Sequence, residues 1–145
     1  MTLKSNKGFA LADTIIAIFV LVIFSTLVIS ISYNIYISSN FVKRNGQATN
    51  YIVEVFEYAK TLNVDDVNAT NLVTYINTKG EKIQAIEGIY SETADKLDSY
   101  TMFISMDEAS IAEEQRSYIK KIDITVMYKL GTKTKTVSMS TLINK

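Results

Sequence analysis

The sequence predicts an α+β chain in which a long N-terminal helix, first apolar and then amphipathic, packs against a small antiparallel sheet that ends in a C-terminal hairpin. Three observations predict it. Phe9 to Val42 is a run of 34 residues with a single acid, Asp13, before the basic pair Lys43-Arg44. Phe41, Ala48, Ile52, Val55, Ala59 and Leu62 then recur at three, four or seven residues, which places them on one face of a helix. At the other end, Ile122, Ile124, Val126, Tyr128 and Leu130 alternate with Asp123, Thr125, Met127 and Lys129, the pattern of a half-buried strand.

Within the apolar run, Thr14 to Ser32 carries no charge. Its nineteen residues rise about 28 Å as a helix, close to the roughly 30 Å hydrocarbon core of a bilayer. Apolar residues surround this helix instead of forming a stripe, so it predicts a membrane span and not the core helix of a small soluble domain. The residues before it, MTLKSNKG, hold Lys4 and Lys7 and no acid, as the cytoplasmic end of an inserted helix does. Lys43 and Arg44, about eleven residues beyond Ser32, nearly balance that count. The run is longer than a signal-peptide core and lacks a small-x-small cleavage site before Tyr33, so the helix is expected to stay attached.

The amphipathic part spans 33–62. Gly46 is its weak point, costing about 1 kcal/mol relative to Ala in a helix interior, and a bend or break is expected there. The segment Asn63-Val-Asp-Asp-Val-Asn-Ala-Thr-Asn collects turn formers and ends the helix. Short strands are expected at Leu72–Ile76 and Ile83–Tyr90, around a turn at Lys79-Gly80, and another at Tyr100–Met106. Ser110-Ile-Ala-Glu113 fits a capping box. Gly131-Thr132 fits a two-residue hairpin turn with glycine first, and the resulting register sets Val126 against Val137 and Ile124 against Met139.

Composition excludes much chemistry. The 145 residues contain no Cys, no His, no Trp and no Pro. Disulfides, cysteine or histidine metal sites and histidine-based triads are therefore absent, and neither a catalytic residue nor a cofactor is expected. Asp66, Asn68, Thr70 and Thr74 have roughly calcium-loop spacing, but Asn71 and Asn77 stand where glycine and glutamate are needed. Asp107, Glu108, Glu113 and Glu114 read as charged surface. Fifteen bases offset fifteen acids, so nucleic acid is not an expected partner. The charge is uneven, however: acids outnumber bases 11 to 4 between Asn63 and Ile119, and bases lead 6 to 1 from Lys120.

Lys7-Gly8-Phe9-Ala10-Leu11-Ala12-Asp13, followed at once by the apolar helix, resembles the prepilin leader of type IV pilins and pseudopilins. The resemblance implies cleavage between Gly8 and Phe9 by a membrane aspartyl peptidase, with methylation of the new Phe9 amine. It places the family's acidic assembly residue on Asp13, aspartate standing for the usual glutamate. The implied organisation is a removed leader at 1–8, a transmembrane and filament-core helix at 9–32, a stem helix at 33–62 and a head at 63–145. Implied partners are other pilin subunits, the prepilin peptidase, the inner-membrane assembly platform and the lipid bilayer. The implied location is a single-pass cell membrane protein with its head outside, then a cell-surface filament, and the implied role is a minor pilin or pseudopilin without enzymatic activity. The chain departs from many pilins in having no proline near Ser30 and no C-terminal disulfide loop. On the residues alone, Asp13 can instead favour or cap the start of the helix before Thr14. The chain can then be a permanently anchored extracytoplasmic binding or sensor subunit that keeps its N-terminus.

Overall fold

The computed structural model describes residues 7–79, 82–90, 100–107 and 118–144, with backbone alone at 7–10. Helix α1 spans Lys7–Thr61, a 3-10 turn follows at Val64–Asp66, and α2 spans Ala69–Thr78. Four strands complete the order: β1 (Ile83–Glu87), β2 (Tyr100–Met106), β3 (Ile119–Leu130) and β4 (Lys133–Asn144). They form one sheet in sequence order. The chain divides into two compact units, Met1–Asn40 and Phe41–Lys145.

In the second unit, Ala48, Ile52, Val55 and Ala59 of α1 are fully buried in one cluster with Met102, Ile104, Ile122, Ile124 and Val126 of the sheet. This is the helix face expected from the spacing, except that Phe41 is 38% exposed. The helix does not break at Gly46. Tertiary contacts flank that position: Arg44 donates to the Lys129 carbonyl, Tyr128 Oη donates to Asn45 Oδ1 (3.3 Å), and Tyr100 Oη donates to Gln47 Oε1 (2.6 Å). Three side chains within four residues thus hold the turn whose glycine weakens it.

The C-terminal hairpin has the expected register, with Val126 opposite Val137 and Ile124 opposite Met139. Gly131 has φ +63° while Thr132 stays at negative φ, so only the first central residue needs the left-handed region, the requirement of a II′ turn. Ile122, Ile124, Val126 and Tyr128 are buried.

Two further expectations fail. Leu72–Ile76 belongs to α2 and not to a strand. Its β-branched residues suggested extended chain, but Ala69, Leu72 and Ile76 share the buried face of a helix. The Asn68 side chain caps that helix by accepting from the Asn71 amide at 2.7 Å, as an N-cap does. The sheet is also mixed, because β1 runs parallel to β2. Residues 88–99 join them, a connection of the dozen residues that a parallel crossover needs. The capping box at Ser110–Glu113 lies outside the described residues.

Strand β2 is buried on both faces. Met102 and Ile104 join the helix-side core, while Thr101 and Phe103 are buried on the other side, where Tyr90 meets Phe103 edge-on with ring centroids 5.6 Å apart. At the edge, the Asn77 amide of α2 accepts from the Ala85 N–H at 2.9 Å and donates to the Ala85 carbonyl at 3.0 Å. One side chain thus supplies at Ala85 both bonds that a neighbouring strand would make there. Tyr58 and Tyr75 stack at 3.7 Å between α1 and α2, and Glu54 pairs with Lys79.

Candidate functional site: the apolar helix and the sheet end beside Arg44

In the first unit, every side chain of α1 from Leu11 to Ser39 is exposed. One stretch of this helix is long and apolar enough to cross a membrane, with a mean hydropathy of 2.9. Ile and Val are only moderate helix formers in water. In hydrocarbon, however, every backbone group must be satisfied within the segment, and a helix does this. The hydroxyls follow the same rule: Ser25 Oγ donates to the Leu21 carbonyl and Thr26 Oγ1 to the Ile23 carbonyl, each at 2.8 Å.

The residues expected to matter for processing, Lys7, Gly8 and Phe9, occupy the first turn of α1, and Asp13 is its seventh residue. Asp13 therefore does not cap the helix, and no acid lies in the first turn. First-turn N–H groups have no intrahelical acceptor, so the Gly8–Phe9 segment opens at less cost than the helix beyond it. Asp13 stands at one end of a shallow groove along the helix, lined by Ile16, Ala17, Val20, Leu21 and Ser25. An ionised carboxylate among such neighbours needs a cation or water within reach.

At the Arg44 end of the second unit, Tyr100 and Tyr128 lie 5.8 Å apart between ring centroids. Burial pushes both phenols above the usual tyrosine value, an effect that the Arg44 guanidinium partly offsets. Unfolded, each ionises near pH 10; folded, each holds its proton to higher pH. The unfolded chain therefore loses protons first, and this contribution to stability is complete below about pH 10 and falls above it. Lys121 is also raised, chiefly by its hydrogen bond with Asp107, and acts in the same direction above its own ordinary value. The head in detergent is expected to melt at a constant temperature from neutrality to about pH 9.5 and progressively lower beyond about pH 10. The double variant Tyr100→Phe/Tyr128→Phe should flatten that decline. An unchanged slope would assign the alkaline loss to other groups.

The sequence reading did not single out Asn45 and Gln47, whose role depends on tyrosines 53 and 83 residues away. Asp66 and Asn68, which have roughly calcium-loop spacing, are tied together by Asn71, the residue standing where that loop needs glycine: Asn71 Nδ2 donates to the Asp66 carbonyl at 2.8 Å and the Asn71 amide N–H to Asn68 Oδ1 at 2.7 Å. Of the four carboxylates weighed together, Asp107 bonds Lys121 at 3.0 Å, and Glu108, Glu113 and Glu114 lie outside the described residues.

Comparison with protein families, characterised proteins and solved structures returns no match.

Proposed function

We propose that this chain is a structural subunit of a type IV filament, a minor pilin or pseudopilin that polymerises through its N-terminal helix and has no catalytic activity of its own. The observation that carries the reading is Lys7-Gly8-Phe9 with Asp13 four residues later, at the start of a helix whose apolar side chains from Leu11 to Ile37 are exposed on all sides. Such a surface is stable only against lipid or against other apolar helices. A subunit that leaves the bilayer for a helical bundle exchanges the first environment for the second. Asp13 then needs a cation at the same depth, and cleavage after Gly8 creates one, the amine of Phe9, one helical turn away. The long helix packed on a sheet that closes with a C-terminal hairpin is also the plan that the leader implies.

The partners on this reading are other subunits, the prepilin peptidase and the membrane assembly platform. Intact-mass analysis of the protein from its own host tests it. The mature chain is expected to begin at Phe9 with one added methyl group. A chain that still carries Lys4 and Lys7 would identify a permanently anchored subunit instead.

A further inference from the structure

Four basic side chains of the second unit gather at one end of the sheet. Arg44 of α1 touches the backbone of β3 at Lys129, and Lys43 precedes it. Lys129 and Leu130 pair with Thr134 and Lys133, and Tyr128 pairs with Lys135, so Lys133 and Lys135 stand one strand spacing, about 4.8 Å, from that contact. Directly opposed residues of an antiparallel pair share a face. Tyr128 faces α1, where it bonds Asn45; Lys133 and Lys135 therefore project on the side of Arg44. Lys43, Lys133 and Lys135 are exposed, and among the described residues none of them forms an ion pair. The nearest described acids along these elements are Glu54, ten residues up α1 or about 15 Å, and Asp123, six residues back along β3 or about 20 Å. Both have partners already.

We infer that this end of the sheet, built by Lys43 and Arg44 with Lys133 and Lys135 of the hairpin tip, docks on the phosphates of an anionic membrane. Charge complementarity and chain connectivity select that occupant. Lys43 lies only eleven residues beyond Ser32, about 17 Å if helical, so the chain between the apolar stretch and the four cations is short. The intervening Tyr33 and Tyr36 are exposed and are of the aromatic type that settles at headgroup level. The inference rests on the membrane span and is independent of leader cleavage and of filament membership. It also gives Lys43 and Arg44, which nearly cancel the orienting charge of Lys4 and Lys7, a use outside the cytoplasm.

The chain has no cysteine, so a single environment-sensitive fluorophore can be placed at the hairpin turn through Thr132→Cys. Full-length protein, one copy per nanodisc, is compared in discs of phosphatidylcholine alone and in discs containing phosphatidylglycerol. A blue-shifted emission is expected in the anionic discs only, reversed at about 0.5 M salt, where screening shortens to a few ångström. Each basic residue near an anionic surface raises the docked-to-free ratio about fivefold, so Lys133→Gln/Lys135→Gln should lower it on the order of 25-fold. Lys60→Gln, at the opposite end of the α1 packing face, should leave it unchanged. Equal emission in both lipids would overturn the proposal. So would a shift that requires a second copy in the disc, a shift that millimolar inorganic phosphate abolishes, or one produced by duplex DNA in neutral discs.

Discussion

Val126→Asp is expected to unfold the head. Val126 is wholly buried, opposed on one side by Met102 and on the other by Val137, and it belongs to the apolar cluster that includes Ile52 and Ile124. A carboxylate there has no cation or donor to meet and must stay buried and unpaired or force the sheet apart. Leaving a charge uncompensated in a core costs more than about 3 kcal/mol. For a domain of this size that corresponds to a fall in melting temperature of at least ~12 °C. Thr136→Asp is the control, because Thr136 is exposed on the opposite face of the same hairpin; it should cost less than about 1 kcal/mol. Near-ultraviolet circular dichroism of full-length protein in detergent measures both. Equal losses for the two variants would mean that the faces of β3 and β4 are assigned the wrong way round.

Asp13→Ala is expected to insert in the membrane and to be cleaved, yet to be missing from filaments. A carboxylate in the depth of a bilayer costs about 2.5–3.5 kcal/mol, and the exposed Asp13 has apolar residues for several turns after it. In a bundle of such helices the amine of a cleaved Phe9 offers the counter-charge, and their attraction strengthens as water is excluded. Either charge alone in that layer is costly, so the pair selects the axial offset between neighbouring helices. Removing the carboxylate leaves unpaired amines and no preferred offset. Asp13→Glu keeps the charge and should be incorporated. The measurement is recovery of tagged variants in sheared surface filaments relative to the membrane fraction, and equal recovery of Asp13→Ala and the unaltered chain would sink the pairing.

Local patterns carried the parts of this fold that depend on near neighbours. The β3–β4 hairpin was legible because alternation on both sides of Gly131 leaves one register that puts both apolar sets on one face. The α1 packing face was legible from its period. Helix α2 was obscured because Val73, Thr74 and Ile76 favour strands intrinsically, and the packing of Leu72 and Ile76 outweighed that preference. The direction of β1 was not encoded in its own five residues; it shows only in its pairing with β2. For the candidate site, Lys7, Gly8, Phe9 and Asp13 are a contiguous motif and could be read directly. The cluster of Arg44, Lys133 and Lys135 could not, since it exists only once the hairpin register and the Arg44–Lys129 contact bring together residues some ninety positions apart.

In β1 the outward N–H and C=O of Ala85 are occupied by the Asn77 amide, while among the described residues no further strand pairs with β4. A strand from another polypeptide that adds to β1 must first displace that side chain, and covering an edge is one of the ways in which proteins discourage sheet growth from copy to copy. The two margins of the described sheet are thus unequal barriers, one guarded by a side chain of the same head and the other not.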